Sequence, residues 1–209
     1  MSGALLPDLR GRKVAVVTID LHRGHLDPDV ATMPLDAASS ARVVAANATF
    51  LAGARRLGLP VVHVVTSYHA VEEISSNPWW AAVAGTDATR ANVLRHQLPG
   101  SRGLAVMSDL LDEDHDVVVR DKKRYDAFTA TELDHVLRSR RIDTVLLTGV
   151  NTNSCVLATT VAGNARDYAV VVVEDCVDTM DRRLHDPALA LIRQAFGWVA
   201  PASDVLAAL

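Results

Sequence analysis

The chain has few cysteines, no long apolar runs and no excess of either charge. Only two of its 209 residues are cysteines, Cys155 and Cys176, so no disulfide framework is implied. Lys and Arg number 21 against 25 Asp and Glu, and the formal net charge of −4 offers no broad electrostatic surface for nucleic acid or anionic lipid. The aliphatic runs are far shorter than the about 20 residues that a membrane-spanning helix needs. We therefore expect a cytoplasmic protein without nucleic-acid or membrane partners.

Several motifs that bind cofactors or activate nucleophiles are also missing. The 11 glycines form neither G-x-G-x-x-G nor G-x-x-x-x-G-K-[ST], the fingerprints of dinucleotide-binding and phosphate-binding loops. The absence of G-x-S-x-G argues against a serine hydrolase of the α/β-hydrolase type. We expect no cofactor, and the function must depend on side chains at strand ends.

The hydrophobic pattern predicts one α/β domain over residues 1–209. Nearly continuous β-branched runs alternate with amphipathic stretches, which is typical of a doubly wound, mostly parallel sheet of five to six strands with helices on both faces. The predicted strands are residues 13–19, 60–66, 116–120, 143–148 and 169–173, with 197–199 as a sixth strand at an edge. The predicted helices are residues 36–57, 131–141, 153–168 and 187–196. In such folds the functional site lies at the carboxyl ends of the strands.

One long segment, residues 69–108, interrupts the alternation. It contains no convincing strand, and Asn77-Pro78-Trp79-Trp80 lies near its start. Connections of this length are uncommon in compact domains, so we interpret the segment as a functional flap or as a stretch with helices that the pattern does not reveal.

Two charged residues come at the ends of predicted strands. Asp20 ends the first strand, where partial burial would raise its pKa towards that of a general base, although a cap or turn residue is the alternative. Lys122 follows the third strand in a charged cluster that returns at once to apolar residues. A lysine anchored in this way could reach over the sheet edge, whereas a solvated loop is the alternative.

Cys155 follows the fourth strand after the polar turn 149–152. With Thr152 or Asn153 as N-cap, the thiol lies in the first helical turn, where the helix dipole favours the thiolate and free N–H groups can bind an oxyanion. A small buried hydrophobe is the alternative. Together, Asp20, Lys122 and Cys155 supply an acid/base, a cation and a nucleophile at one sheet edge.

Two stretches, residues 122–128 (KKRYDAF) and 143–160 (DTVLLTGVNTNSCVLATT), carry a family resemblance. They are similar to K-x-R-Y-x-A-F and G-[VI]-x-T-x-x-C-V of the isochorismatase-like cysteine hydrolases. This family includes nicotinamidases, N-carbamoylsarcosine amidases, ureidoacrylate and biuret amidohydrolases, and isochorismatases. The resemblance runs from residue 14 to about residue 199.

The resemblance implies a catalytic triad of Asp20, Lys122 and Cys155, with Lys123 a weaker candidate for the lysine. It also implies a cis peptide bond between Val150 and Asn151, and an oxyanion hole made by the N–H groups of Asn151 and Cys155. The implied reaction is hydrolysis of a small amide or ureide through a thioester on the cysteine. A homo-oligomer, dimer or tetramer, is implied as well.

The first motif departs from the family's D-x-Q-x-D-F, since it has His22 for the glutamine and His25 for the aromatic residue. We expect His25 to line the pocket and His22 to have a hydrogen-bonded structural role. A polar pocket favours a ureide or small polar amide over nicotinamide. Weaker candidates for substrate binding are Trp79, Trp80 and Tyr125, although the tryptophans could instead pack at a subunit interface.

A metal site is not expected. The pattern Asp20-x-His22-x-x-His25 could suggest one. Nicotinamidases, members of the family that this chain resembles, carry a metal on an Asp-x-His arrangement after strand two. Here that region, residues 66–70, contains only His69. A single histidine is a poor ligand set, because stable zinc sites have three or four protein ligands.

Three alternatives to the amidohydrolase remain open. An isochorismatase hydrolyses a vinyl ether without a covalent intermediate, and members with that activity can lack the cysteine, so Cys155 argues against it. A nicotinamidase-like amidase fits the polar pocket less well. A binding module that lost catalysis is the third, and the intact triad argues against it.

Overall fold

Six strands form one parallel sheet in the computed structural model, which describes residues 6–86 and 90–209. Their order is β3-β2-β1-β4-β5-β6, and helices cover both faces, so the predicted doubly wound α/β fold is confirmed. The strands are β1 (Val14–Ile19), β2 (Val61–Thr66), β3 (Val117–Lys122), β4 (Thr144–Val150), β5 (Ala169–Asp178) and β6 (Trp198–Ala200).

Eight helices connect or flank these strands within the described ranges. They are α1 (Arg23–Leu26), α2 (Ala37–Arg56), α3 (Val71–Ser75), α4 (Pro78–Val83), α5 (Leu133–Ser139), α6 (Leu157–Asn164), α7 (His185–Ala195) and α8 (Ala202–Ala208). Helices α1 and α8 were not predicted, and α7 begins two residues earlier than predicted, at His185. The long segment 69–108 contains α3, α4 and two 3-10 turns, which are helices that the sequence pattern did not reveal. None of the described helices is long and apolar enough to span a membrane.

Alternating residues of the buried strands pack in two apolar layers, one on each face of the sheet. Val16 of β1 packs in a layer with Phe50 of α2, whereas Val17 packs in the opposite layer with Leu137 of α5. A third cluster, made largely by residues from the long segment, comprises Met33, Tyr68, Ile74, Trp80 and Val93. Since Tyr68 lies two residues after the end of β2, this cluster covers the carboxyl end of the sheet.

An ionic network fixes the start of β3. The carboxylate of Asp116 accepts hydrogen bonds from Arg55 Nη2 at 2.5 Å and from His63 Nε2 at 3.1 Å, and its side chain is only 2% exposed. Burial alone would raise the pKa of Asp116, but the hydrogen bonds from His63 and Arg55 outweigh burial and lower the pKa to about 2. The charged form of Asp116 therefore stabilises the fold.

Replacing Asp116 with asparagine is expected to lower the free energy of unfolding at pH 7 by about 2–3 kcal/mol, given about 1.4 kcal/mol per pKa unit. The folded-state pKa lies below the unfolded value of about 3.9, so this stabilisation is complete above that pH and is lost as the pH falls towards 2. Urea unfolding from pH 7 to pH 2 measures the difference, with Asp114→Asn as the exposed control. A difference that stays constant over that range would contradict this assignment.

Candidate active site

The site lies where β1 and β4 are neighbours, because the direction of strand order reverses between them and such switch points form crevices. Gly149 of β4 has a φ of +108°, and a Cβ there would overlap the carbonyl oxygen of Ile19. The two strands can therefore approach closely only with glycine at this position. Asp20, directly after β1, has a φ of +52°, a conformation that aspartate tolerates better than most residues.

Lys122 connects the other two residues of the predicted triad. Its Nζ donates to Asp20 Oδ2 at 2.6 Å and lies 3.5 Å from Cys155 Sγ. Thr66, the last residue of β2, donates to Asp20 Oδ1 through its N–H at 2.9 Å and its hydroxyl at 2.8 Å, and the same hydroxyl accepts from Lys122. All three predicted residues are buried, and they meet at one point.

The charges of this cluster differ from the predicted ones. Burial would raise the pKa of Asp20, but the charge of Lys122 outweighs it and holds that pKa far below its usual value. Burial would lower the pKa of Lys122, yet Asp20 raises it above the ordinary range. The expected upward shift for Asp20 is therefore wrong, because the sequence did not show a lysine at 2.6 Å.

Cys155 also differs from its predicted environment. It lies in a π-helical turn, Thr152–Val156, which precedes α6, and the N-cap position is Asn151 rather than Thr152 or Asn153. Burial raises the pKa of the Cys155 thiol, and Lys122 opposes this only in part. The expected thiolate is therefore not the resting form, because loss of water around the sulfur outweighs the favourable charges.

The turn before Cys155 has the backbone that the resemblance implies. The peptide bond between Val150 and Asn151 is cis. The side chain of Asn151 accepts a hydrogen bond from the N–H of Met180 at 3.0 Å, which holds the residue in place. Within the described ranges, the N–H of Asn151 donates to no protein acceptor.

A narrow pocket opens beside Cys155. Of the predicted substrate-binding residues, His25, Trp80 and Tyr125 line it, whereas Trp79 does not and is 66% exposed. The pocket has a volume of about 20 Å³, which is room for about one water molecule. A cavity of about 500 Å³ lies next to it and shares Arg90 and Tyr125 with it. Binding of an amide therefore requires movement of the side chains above the pocket.

The sequence reasoning missed Thr66, Arg90 and His96, which also line the pocket. Arg90 donates to Ser154 Oγ at 3.1 Å, and its guanidinium lies 4.7 Å from the centre of the Tyr125 ring. Among the described residues it has no acidic partner within salt-bridge distance. The position of Thr66 at a strand end could have identified it, but Arg90 and His96 lie in the long segment without any motif.

The metal site of nicotinamidases does not fit this chain. The hydroxyl of Tyr68 donates to the carbonyl of Lys123, and the side chain of His69 is 73% exposed and lies against Glu73. These residues do not form a buried ligand set after β2. The side chains at this position are therefore not arranged as a metal site of the nicotinamidase type.

Three histidines cluster elsewhere, however. His22, His25 and His96 are buried, and burial lowers the pKa of His22 to about 3 and lowers those of the other two, so the rings are uncharged. Neither ring nitrogen of His22 has a hydrogen-bond partner among the residues that the structure describes. The predicted hydrogen-bonded role of His22 is therefore wrong, because its ring stacks on His25 with 4.8 Å between centroids instead.

Comparisons with known proteins identify relatives over almost the whole chain. The model of the isochorismatase domain matches residues 14–204. The ureidoacrylate amidohydrolase RutB of Methylobacterium radiotolerans is 31% identical, with 92% of this chain and 76% of the relative covered. The maleamate amidohydrolase of Pseudomonas putida is 29% identical, with 94% and 86% covered. An isochorismatase family protein from Burkholderia thailandensis has a similar structure, with 35% identity, a TM-score of 0.74, and 94% and 95% covered.

Proposed function

The chain belongs to the isochorismatase family of hydrolases, and from this we propose that it cleaves the C–N bond of a small polar amide or ureide through a thioester on Cys155. The observation that carries the proposal is the single ammonium of Lys122, which contacts both the Asp20 carboxylate at 2.6 Å and the Cys155 sulfur at 3.5 Å. A nucleophile with an adjacent acid/base group is the arrangement that covalent catalysis requires. The relatives named as amidohydrolases support this reaction class.

In the first half of the proposed reaction, the thiol is deprotonated as it attacks. Because the resting cysteine is protonated, Asp20 accepts the thiol proton while the S–C bond forms and the negative charge moves to the carbonyl oxygen. The N–H groups of Asn151 and Cys155 stabilise that oxyanion. Asp20 then donates the proton to the nitrogen, the C–N bond breaks, and ammonia or an amine leaves the thioester.

In the second half, water hydrolyses the thioester. Asp20 accepts a proton from the attacking water, the tetrahedral intermediate collapses, and the sulfur leaves and is reprotonated. The products are a carboxylic or carbamic acid and the free thiol. Lys122 keeps Asp20 ionised between the steps, so the carboxylate can accept a proton in each half.

The substrate class that we propose is a short linear amide or ureide that also carries a carboxylate. Arg90 lies beside the pocket without a carboxylate partner among the described residues, and guanidinium groups match carboxylates in geometry and charge. The names of two relatives, ureidoacrylate amidohydrolase and maleamate amidohydrolase, denote substrates with a carboxylate. The uncharged ring of His25 adds a polar wall without repelling either group.

Arg90→Met is expected to reduce kcat/KM for maleamate about 10–150-fold, since a hydrogen bond to a charged group contributes about 1.5–3 kcal/mol. The neutral diamide maleamide should lose little, because it has no carboxylate for Arg90 to bind. Ammonia release from both compounds measures the effect, with the exposed Arg95→Met as control. Equal losses for the two compounds would show that Arg90 only supports the pocket wall.

The function itself is tested by ammonia release together with the mass of the acid-quenched protein. With maleamate, which loses ammonia, we expect an adduct on Cys155 that equals the substrate minus ammonia. Ammonia release without any adduct, and with full activity in the absence of the thiol, would exclude the thioester.

A further inference from the structure

We propose that His22, His25 and His96 bind a divalent transition metal, with zinc as the physiological class of ion, at a site beside the thiol pocket. One ring nitrogen from each residue lies within 4.8 Å of the others. Among the described residues, these three form the group of histidine, cysteine or acidic side chains that lie close enough together to hold a metal ion. All three side chains are buried. The site goes beyond the proposed amide hydrolysis, because none of the steps above uses it.

Two of the rings already present a free nitrogen. The Nδ1 of His25 lies 2.7 Å from the carbonyl oxygen of Met33, and since a carbonyl only accepts, this nitrogen carries the proton. The Nε2 of an uncharged His25 therefore has its lone pair available. The Nδ1 of His96 pairs with the hydroxyl of Thr32 at 2.7 Å, which leaves Nε2 as its second nitrogen. Metal-binding histidines commonly have such a partner on the nitrogen that does not bind the metal.

His22 is the observation that most requires a ligand. Its ring is fully buried and neither nitrogen has a hydrogen-bond partner within the described part of the chain, although leaving a buried polar group unsatisfied costs about 1–3 kcal/mol. A metal bound to one nitrogen would provide the missing partner. The other side of the ring faces Asp20, whose Oδ1 lies 3.6 Å from Nε2. This carboxylate supplies negative charge beside the proposed cation.

The donor set indicates the class of metal. Three uncharged imidazoles suit zinc and neighbouring transition metals better than calcium or magnesium, which prefer oxygen. Zinc–nitrogen bonds are about 2.0–2.1 Å long, so ligands as far apart as 4.8 Å must move closer when the metal binds. The unpaired ring of His22 can turn without breaking a hydrogen bond. His25 and His96 also line the pocket, so a fourth coordination position would face it.

Cobalt(II) is the probe for this site, because its visible d–d absorption reports tetrahedral coordination and its near-ultraviolet charge-transfer absorption reports thiolate ligands. The protein, dialysed against a chelator, is titrated with cobalt(II), and zinc(II) is then used to displace the cobalt. We expect one equivalent per chain, the tetrahedral spectrum and no thiolate band. His25→Ala and His96→Ala should each weaken binding at least about tenfold, whereas the exposed His135→Ala and the thiol variant Cys155→Ala should bind normally.

Folding of the variants is checked by thermal unfolding with and without zinc. A ligand that binds only the native state raises the melting temperature, so zinc should stabilise the wild type and His135→Ala but neither cluster variant. His96→Asn replaces His96→Ala if the alanine variant does not fold. Substoichiometric binding, or binding that is lost in Cys155→Ala and retained in His96→Ala, would overturn the proposal. Because these readouts need no turnover, they remain interpretable if the amide-hydrolase proposal fails.

Discussion

Cys155→Ala is expected to reduce amide turnover at least about 10³-fold, because removing the nucleophile of a covalent hydrolase can cost up to about 10⁶-fold in kcat. The acyl adduct should disappear together with ammonia release. Substrate binding should persist, since the alanine removes only the sulfur at the base of the pocket. Steady-state ammonia release, the mass of the quenched protein and calorimetric binding of maleamate separate these effects.

Cys176→Ala is the matched control for that experiment. Cys176 is fully buried in β5 within the apolar layer that contains Phe50, and burial raises the pKa of its thiol. Its replacement should affect stability and leave the adduct on Cys155 unchanged. If Cys155→Ala retained full turnover, vinyl-ether hydrolysis, which needs no thiol, would be the reaction to assay next. If wild type and variant only bound ligands, the chain would be a binding module.

Lys122→Met is expected to abolish turnover and to lower the free energy of unfolding by about 3–5 kcal/mol, the usual cost of breaking a buried ion pair. The methionine retains most of the side-chain volume, so the loss reflects the uncompensated charge of Asp20 rather than a cavity. Asp20→Asn should also be inactive, because the amide cannot accept the thiol proton. Denaturant unfolding and ammonia release measure the two properties separately.

The double variant Asp20→Asn/Lys122→Met distinguishes the charge from packing. With both charges removed, the loss of unfolding free energy should be smaller than the summed losses of the two single variants by about 2 kcal/mol or more. The double variant should still be inactive. Lys123→Met is the neighbouring control, since its Nζ donates to the carbonyl of Ser67 at 2.8 Å and its side chain is 20% exposed. We expect at most about 1 kcal/mol from its partly exposed ion pairs with Glu73 and Asp121. Inactivation by Lys123→Met with an active Lys122→Met would reverse the assignment of the lysine.

The fold and the meeting of Asp20, Lys122 and Cys155 at one sheet edge could be predicted, because they depend on short-range patterns. Asp20 and Cys155 follow apolar runs of β1 and β4, and parallel strands bring their carboxyl ends to one edge. The end of β3 was predicted less accurately, because Asp121 and Lys122 are charged residues inside the strand. Lys122 pairs with Thr66 after a shift in register, which hydrophobicity does not indicate.

The electrostatics and the part of the pocket wall made by Thr66, Arg90 and His96 could not be predicted, because they depend on contacts between distant residues. Asp20 and Lys122 are 102 residues apart, so the sign of the pKa shift of Asp20 followed only from the folded geometry. Arg90 and His96 reach the pocket along the irregular path of the long segment. Their sequence neighbours contain no periodicity that specifies that path, and the cluster of His96 with His22 and His25 was missed for the same reason.

The strand order also determines when during folding the site can exist. The ion pair joins β1 to β3 within one half of the sheet, whereas Cys155 follows β4, the first strand of the other half. Neither half alone contains both the thiol and its acid/base partner. Only docking of β4 along β1, from Val14–Thr144 to Ile19–Gly149, brings them together. Before that long-range pairing forms, Cys155 has neither Asp20 nor Lys122 beside it, so the site can exist only once β4 lies along β1.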